Sequence, residues 1–197
     1  MTIEGYLKYV ALVDVVPKGG VEFSITDSKS NGDHLAFPWY LNGSMHKPCP
    51  VIAAKTGETK FWMTFDTGGD GIMVDQSVMP SGFQRHIITY NIAGGVIGDA
   101  EPEAPLVETY WRLGSFILQA PVVVLPLHEQ NIKQNIKGLF GFPPFVNAKR
   151  ITINHEPDII VIDNFRNEGN IHIEGFQDAG KWDAENYYRR RKSTIGI

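Results

Sequence analysis

A single cysteine, Cys49, is present, so no intrachain disulfide can form, and a thiolate zinc site would have to take its other ligands elsewhere. Long apolar runs are missing too. Tyr9-Val10-Ala11-Leu12-Val13 and Pro121-Val122-Val123-Val124-Leu125-Pro126 fall well short of the about 20 residues that cross a bilayer as a helix. The N-terminus lacks a basic region, and Asp14 interrupts the one apolar stretch that could serve as a signal core, so the chain is expected to be cytoplasmic. Charge of either sign is not in large excess. Eighteen Lys and Arg against 22 Asp and Glu leave a net charge of -4, which offers no general attraction to nucleic acid or to an anionic membrane. Neither is an expected partner. The histidines His34, His46, His86, His128, His155 and His172 are scattered without ligand spacing, so no metal site is assigned. There is no Gly-x-Ser-x-Gly elbow and no Walker-type or dinucleotide-binding glycine pattern after a strand, which removes the support for nucleophilic hydrolases and nucleotide binding. Helical periodicity is scarce, with short candidates only at 130–137 and 182–191.

What the chain does contain is strand-like. Twenty Gly and 12 Pro punctuate short segments rich in Val, Ile, Thr, Phe and Trp, which is an all-β pattern. Strands are predicted at 6–16, 21–26, 35–41, 60–65, 86–90, 108–113, 115–124, 150–154, 159–163 and 170–174. Arg150-Ile151-Thr152-Ile153-Asn154 alternates with period two, and Asn154-His155-Glu156-Pro157-Asp158 then supplies a turn before Ile159-Ile160-Val161-Ile162, which reads as a hairpin. Hydrophobic residues make up 43% of the 197, enough for one sizeable core in a single domain. Residues 1–34 are assigned to N-terminal strands or an interface arm, 35–174 to the main domain, and 175–197 to a polar, basic extension ending near Arg189-Arg190-Arg191-Lys192.

The segment richest in chemistry is Lys60-Phe61-Trp62-Met63-Thr64-Phe65-Asp66-Thr67-Gly68-Gly69-Asp70-Gly71. A strand apolar on both faces lies deep in a protein, and this one runs straight into a carboxylate. A charge delivered there needs donors close by, and Gly68 and Gly69 let backbone N–H groups approach without a Cβ in the way. Two plainer readings compete. Asp, Thr and Gly are common where a strand simply turns. Asp66, Asp70 and Gly71 also fall at positions one, five and six of a calcium loop, but Gly68 at position three and Ser77 at position twelve lack the needed carboxylates.

Asp66-Thr67-Gly68 after an apolar strand resembles the active-site motif of the aspartic peptidases, and Ile136-Lys137-Gly138-Leu139-Phe140-Gly141 resembles that family's second element, where paired apolar residues and a glycine close a ψ-shaped loop around the motif. Residues 145–154 look like the strand and turn that follow this glycine in the single-lobed, retropepsin-like members, and Ile159-Ile160-Val161-Ile162 like the closing strand. The glycine-rich stretch Asn91-Ile92-Ala93-Gly94-Gly95-Val96-Ile97-Gly98 lies where those proteins carry a flap over the substrate. The resemblance spans about 35–162 and implies an all-β, retropepsin-like closed barrel with a glycine-rich flap and few short helices. It implies an aspartic endopeptidase. Asp66, Thr67 and Gly68 would be catalytic, Ala93, Gly94 and Gly95 would bind a peptide or protein substrate, and no metal or organic cofactor would be needed. One Asp-Thr-Gly per chain implies a homodimer, in which Asp66 of each subunit forms the pair. The chain departs from the pattern at Gly69-Asp70, where Ala or Ser is usual, and at Phe142-Pro143-Pro144-Phe145. A catalytically silent barrel that binds peptide or scaffolds an assembly is the alternative.

Overall fold

The computed structural model describes residues 6–41, 50–69, 71–81, 86–89, 103–126, 135–145 and 148–164. These form fourteen strands: β1 (Ala11–Val13), β2 (Val21–Ile25), β3 (Lys29–Asn31), β4 (His34–Pro38), β5 (Tyr40–Leu41), β6 (Pro50–Thr56), β7 (Thr59–Asp66), β8 (Ile72–Asp75), β9 (His86–Thr89), β10 (Glu103–Leu113), β11 (Phe116–Leu125), β12 (Ile136–Gly141), β13 (Arg150–His155) and β14 (Asp158–Asp163). Two single-turn 3-10 helices, Gln76–Val78 and Pro143–Phe145, accompany them. Seven strands close a barrel in the order β11, β8, β12, β7, β6, β2, β10 and back to β11. The expected all-β closed barrel is the observed fold.

Closure removes both sheet edges of the ring, so the interior can be almost wholly apolar. Phe23 and Trp111 stack at 4.7 Å, Trp111 meets Phe140 edge-on at 4.9 Å, and Phe140 stacks on Phe145 at 5.5 Å. Phe65 continues this chain of rings, 6.2 Å from Phe145 and 5.9 Å from Phe37. Phe65 and Phe140 immediately precede Asp66 and Gly141, so the rings anchor the roots of the segment that bears the carboxylate. The one polar relay inside is satisfied: Trp111 Nε1–H donates to Thr109 Oγ1 at 2.9 Å, and that hydroxyl donates to the Ala120 carbonyl at 2.7 Å. A second sheet, β13-β14-β4-β3, lays Leu35, Phe37, Ile160 and Ile162 against this core.

The hairpin expected at 150–154 and 159–163 is present as β13 and β14. The helix expected at 130–137 is corrected where the structure describes it. Asn135 takes a left-handed turn at φ 58, and residues from Ile136 onward form β12, because pairing with both β7 and β8 buries them on two sides. Residues 130–134, the expected strand 170–174, the helix 182–191 and the basic extension lie outside the described residues. No described helix is long and apolar enough to cross a membrane.

Candidate active site

Strand β7 delivers Asp66 to the rim of the barrel, with Phe61, Met63 and Phe65 buried along its inner face. The chain leaving β7 does not pair with β8 as a simple hairpin. Strand β12 lies between them, parallel to β7 with Gly141 opposite Asp66, and antiparallel to β8 with Phe140 opposite Ile72. The link from Asp66 to Gly71 must therefore pass over the end of β12, and the whole outline is a ψ.

Backbone hydrogen bonds fix this crossing at both ends. Gly69 N–H donates to the Asp66 carbonyl at 3.1 Å, Phe142 N–H to the Gly69 carbonyl at 3.3 Å, and Gly141 N–H to the Gly71 carbonyl at 3.0 Å. The close approach leaves no space for side chains. A Cβ on Gly141 would overlap the carbonyl oxygens of Gly71 and Gly69, and one on Gly69 would meet Leu139 Cδ2 at 2.7 Å. Leu139-Phe140-Gly141 thus works as the sequence implied: two buried apolar residues hold the strand, and the glycine lets the loop cross.

Within the loop, Gly68 N–H donates to Asp66 Oδ1 at 2.9 Å. The Asp66 side chain is half-buried, while Thr67 and Gly68 are exposed. One carboxylate oxygen is thereby oriented by the chain's own backbone. Asp66, Thr67 and Gly68 are brought together on one exposed rim. Ala93, Gly94 and Gly95 lie outside the described residues, as does Asp70. The calcium-loop reading is corrected by β8, since Ile72–Asp75 is buried strand where that loop would need open backbone. Among the described residues no group of three His, Cys, Asp or Glu side chains forms a cation site.

The chain is similar to a retropepsin-like aspartic protease from Rickettsia conorii, a solved structure matched with a TM-score of 0.35 at 14% identity over 78% of this chain and 90% of that one. No protein-family model matches, and no curated protein does.

Sequence reasoning missed Tyr6. Its ring packs against Gly71, with Cε2 3.1 Å from where a Cβ would stand, and its hydroxyl donates to the Pro121 carbonyl at 3.0 Å. No local signal marks it, because its partners lie far along the chain.

Proposed function

We propose that the protein is an aspartic endopeptidase working as a homodimer, with Asp66 of each chain supplying half of a carboxyl pair. The seating of Asp66 carries this reading: a carboxylate at the end of a buried strand, oriented by the Gly68 N–H, on a loop locked over Gly141. A turn that merely ends a strand has no need of a third strand threaded beneath it.

Two carboxyls at hydrogen-bonding distance cannot both ionise, so they share one proton, as is general for aspartic proteases. The ionised partner draws a proton from a water that attacks the peptide carbonyl carbon. The protonated partner gives its proton to the carbonyl oxygen; as the C–N bond of the resulting gem-diol breaks, the carboxyl that took the water's proton passes it to the departing amine, and the other carboxylate takes one back from a diol hydroxyl. Each chain has one Asp-Thr-Gly, so the second carboxyl comes from a two-fold partner. The exposure of Thr67 and Gly68 supports an interface there, with Thr67 bonding across it. Ala93, Gly94 and Gly95 are assigned to a flap that pairs by backbone with an extended peptide.

One observation favours a second reading. Asp66 Oδ1 already accepts a bond within its own chain, as it would in a silent, peptide-binding barrel. Digestion of a diverse peptide mixture from acidic to neutral pH, read by mass spectrometry, separates the two. The unmodified protein should cleave, and Asp66→Asn should lower the rate by about a thousandfold or more while remaining folded. Cleavage that survives Asp66→Asn contradicts the peptidase reading, and no cleavage by either protein favours the silent barrel.

A further inference from the structure

The edge of β11 facing away from β10 is used by two strands in succession. Strand β1 pairs with Ile117 to Gln119, and β8 takes over at Val122. Pro121 falls in the gap between them. In an antiparallel strand a residue's N–H and C=O point to the same side, so the donor that proline lacks would have faced this gap, where none of the described strands pairs with it. Its carbonyl still needs a donor, and the Tyr6 hydroxyl supplies it at 3.0 Å. Tyr6 is buried, with 2% of its surface exposed. Its ring packs against Gly71, the residue whose carbonyl receives Gly141 N–H.

We propose that Tyr6 is a positioning residue for Asp66: it presses Gly71 onto Gly141 and so fixes the far end of the crossing that carries the carboxylate. The proposal rests on the peptidase reading for its consequence in catalysis, but the coupling it describes is a property of the folded chain. Among the described residues, the Asp66-to-Gly71 link is held by hydrogen bonds from the Phe142 and Gly141 N–H groups and by packing against the Tyr6 ring. Without the ring, Gly71 loses the side chain packed against it, and the link can lift from β12. Gly68 then no longer holds Asp66 Oδ1 at a fixed place. The N-terminal segment therefore belongs to the site's architecture, and anything that displaces it acts on the carboxylate.

Nuclear magnetic resonance of the full chain tests this without needing activity. The Gly68 amide donates to Asp66 Oδ1 and the Gly141 amide to the Gly71 carbonyl, so their exchange rates report the seating of the carboxylate and the crossing itself. Tyr6→Ala is expected to speed Gly141 exchange by about tenfold or more and Gly68 exchange by about threefold or more. Tyr6→Phe, which keeps the ring, should leave Gly141 exchange within about threefold of the parent. Ile160→Ala in the second sheet, a core residue away from the loop, controls for general loss of stability and should change neither signal. Should Tyr6→Ala fail to fold, Tyr6→Leu keeps apolar bulk without the flat ring and is expected to give the same two changes. Where the parent cleaves peptides, Tyr6→Ala and Tyr6→Leu should lower kcat by about a hundredfold with KM within about threefold, and Tyr6→Phe should stay near the parent. Gly68 and Gly141 signals that match those of Ile160→Ala would overturn the proposal. Absence of cleavage by the parent would count against the peptidase reading and leave the two resonance measurements to decide the role of Tyr6.

Discussion

A methyl group added at Gly141 and one added at Gly68 meet opposite fates, although the two glycines flank the same loop. At Gly68 it would sit 3.5 Å from Asp66 Oδ1, an ordinary contact, whereas at Gly141 it would overlap two backbone carbonyls. Gly141→Ala should therefore destabilise by about 2–4 kcal/mol and Gly68→Ala by less than about 1 kcal/mol, as read from urea denaturation midpoints. Equal costs would mean that the crossing relaxes easily. Tyr110 gives a second test at this scale. Burial, then the hydrogen bond to Glu108 and its charge, push the phenol from 10.0 up to about 12. The folded state thus keeps a proton that the unfolded chain loses, so this contribution is full below about pH 10 and declines toward about pH 12. Tyr110→Phe should flatten the fall in stability between about pH 10 and 12, and an unchanged slope would contradict the assignment.

Among the elements, β13, β14 and β4 are joined at one end by Asp163. Its Oδ2 accepts from Arg150 Nε and Nη2 at 2.8 and 2.6 Å, and its Oδ1 lies 2.8 Å from His34 Nδ1. The Arg150 hydrogen bonds first, and then the His34 contact, hold the Asp163 carboxyl below its ordinary value of 3.8. A depressed carboxyl stabilises above the unfolded value and loses that contribution as pH falls through the folded one. The difference in melting temperature between the parent and Asp163→Asn should be constant above about pH 5 and shrink below about pH 4. It will be small, because Arg150 and His34 are 72% and 64% exposed. A difference that grows on acidification would reverse the sign argued here. The β13-β14 hairpin was legible because strict alternation encodes a half-buried pair. Strands β6 and β8 were not. Strand β6 opens on Pro50 and carries Ala53 and Ala54, weak strand formers that burial overrides, and β8 is only four residues long and buried throughout. At the site, Asp66 and Gly141 could be read from their apolar flanks, whereas Tyr6 acts through Pro121, 115 residues away, and no local pattern encodes that.

For the whole molecule, a closed barrel leaves little room for a site in its apolar interior, so chemistry falls to the rim. The ψ crossing puts the Asp66 carboxylate there, with exposed Thr67 and Gly68 beside it. In the proposed peptidase that carboxyl is half of an acid–base pair, which a two-fold axis would complete. The account therefore predicts that the active species contains two chains and one shared site. Mixing unmodified protein with Asp66→Asn at fixed total concentration, after subunits have exchanged, and measuring cleavage of a peptide substrate tests this most directly. Activity should fall with the square of the unmodified fraction, so that an equal mixture retains about one quarter of the starting rate. A linear fall, with about half the rate in the equal mixture, or no cleavage by the unmodified dimer, would contradict the shared Asp66 pair.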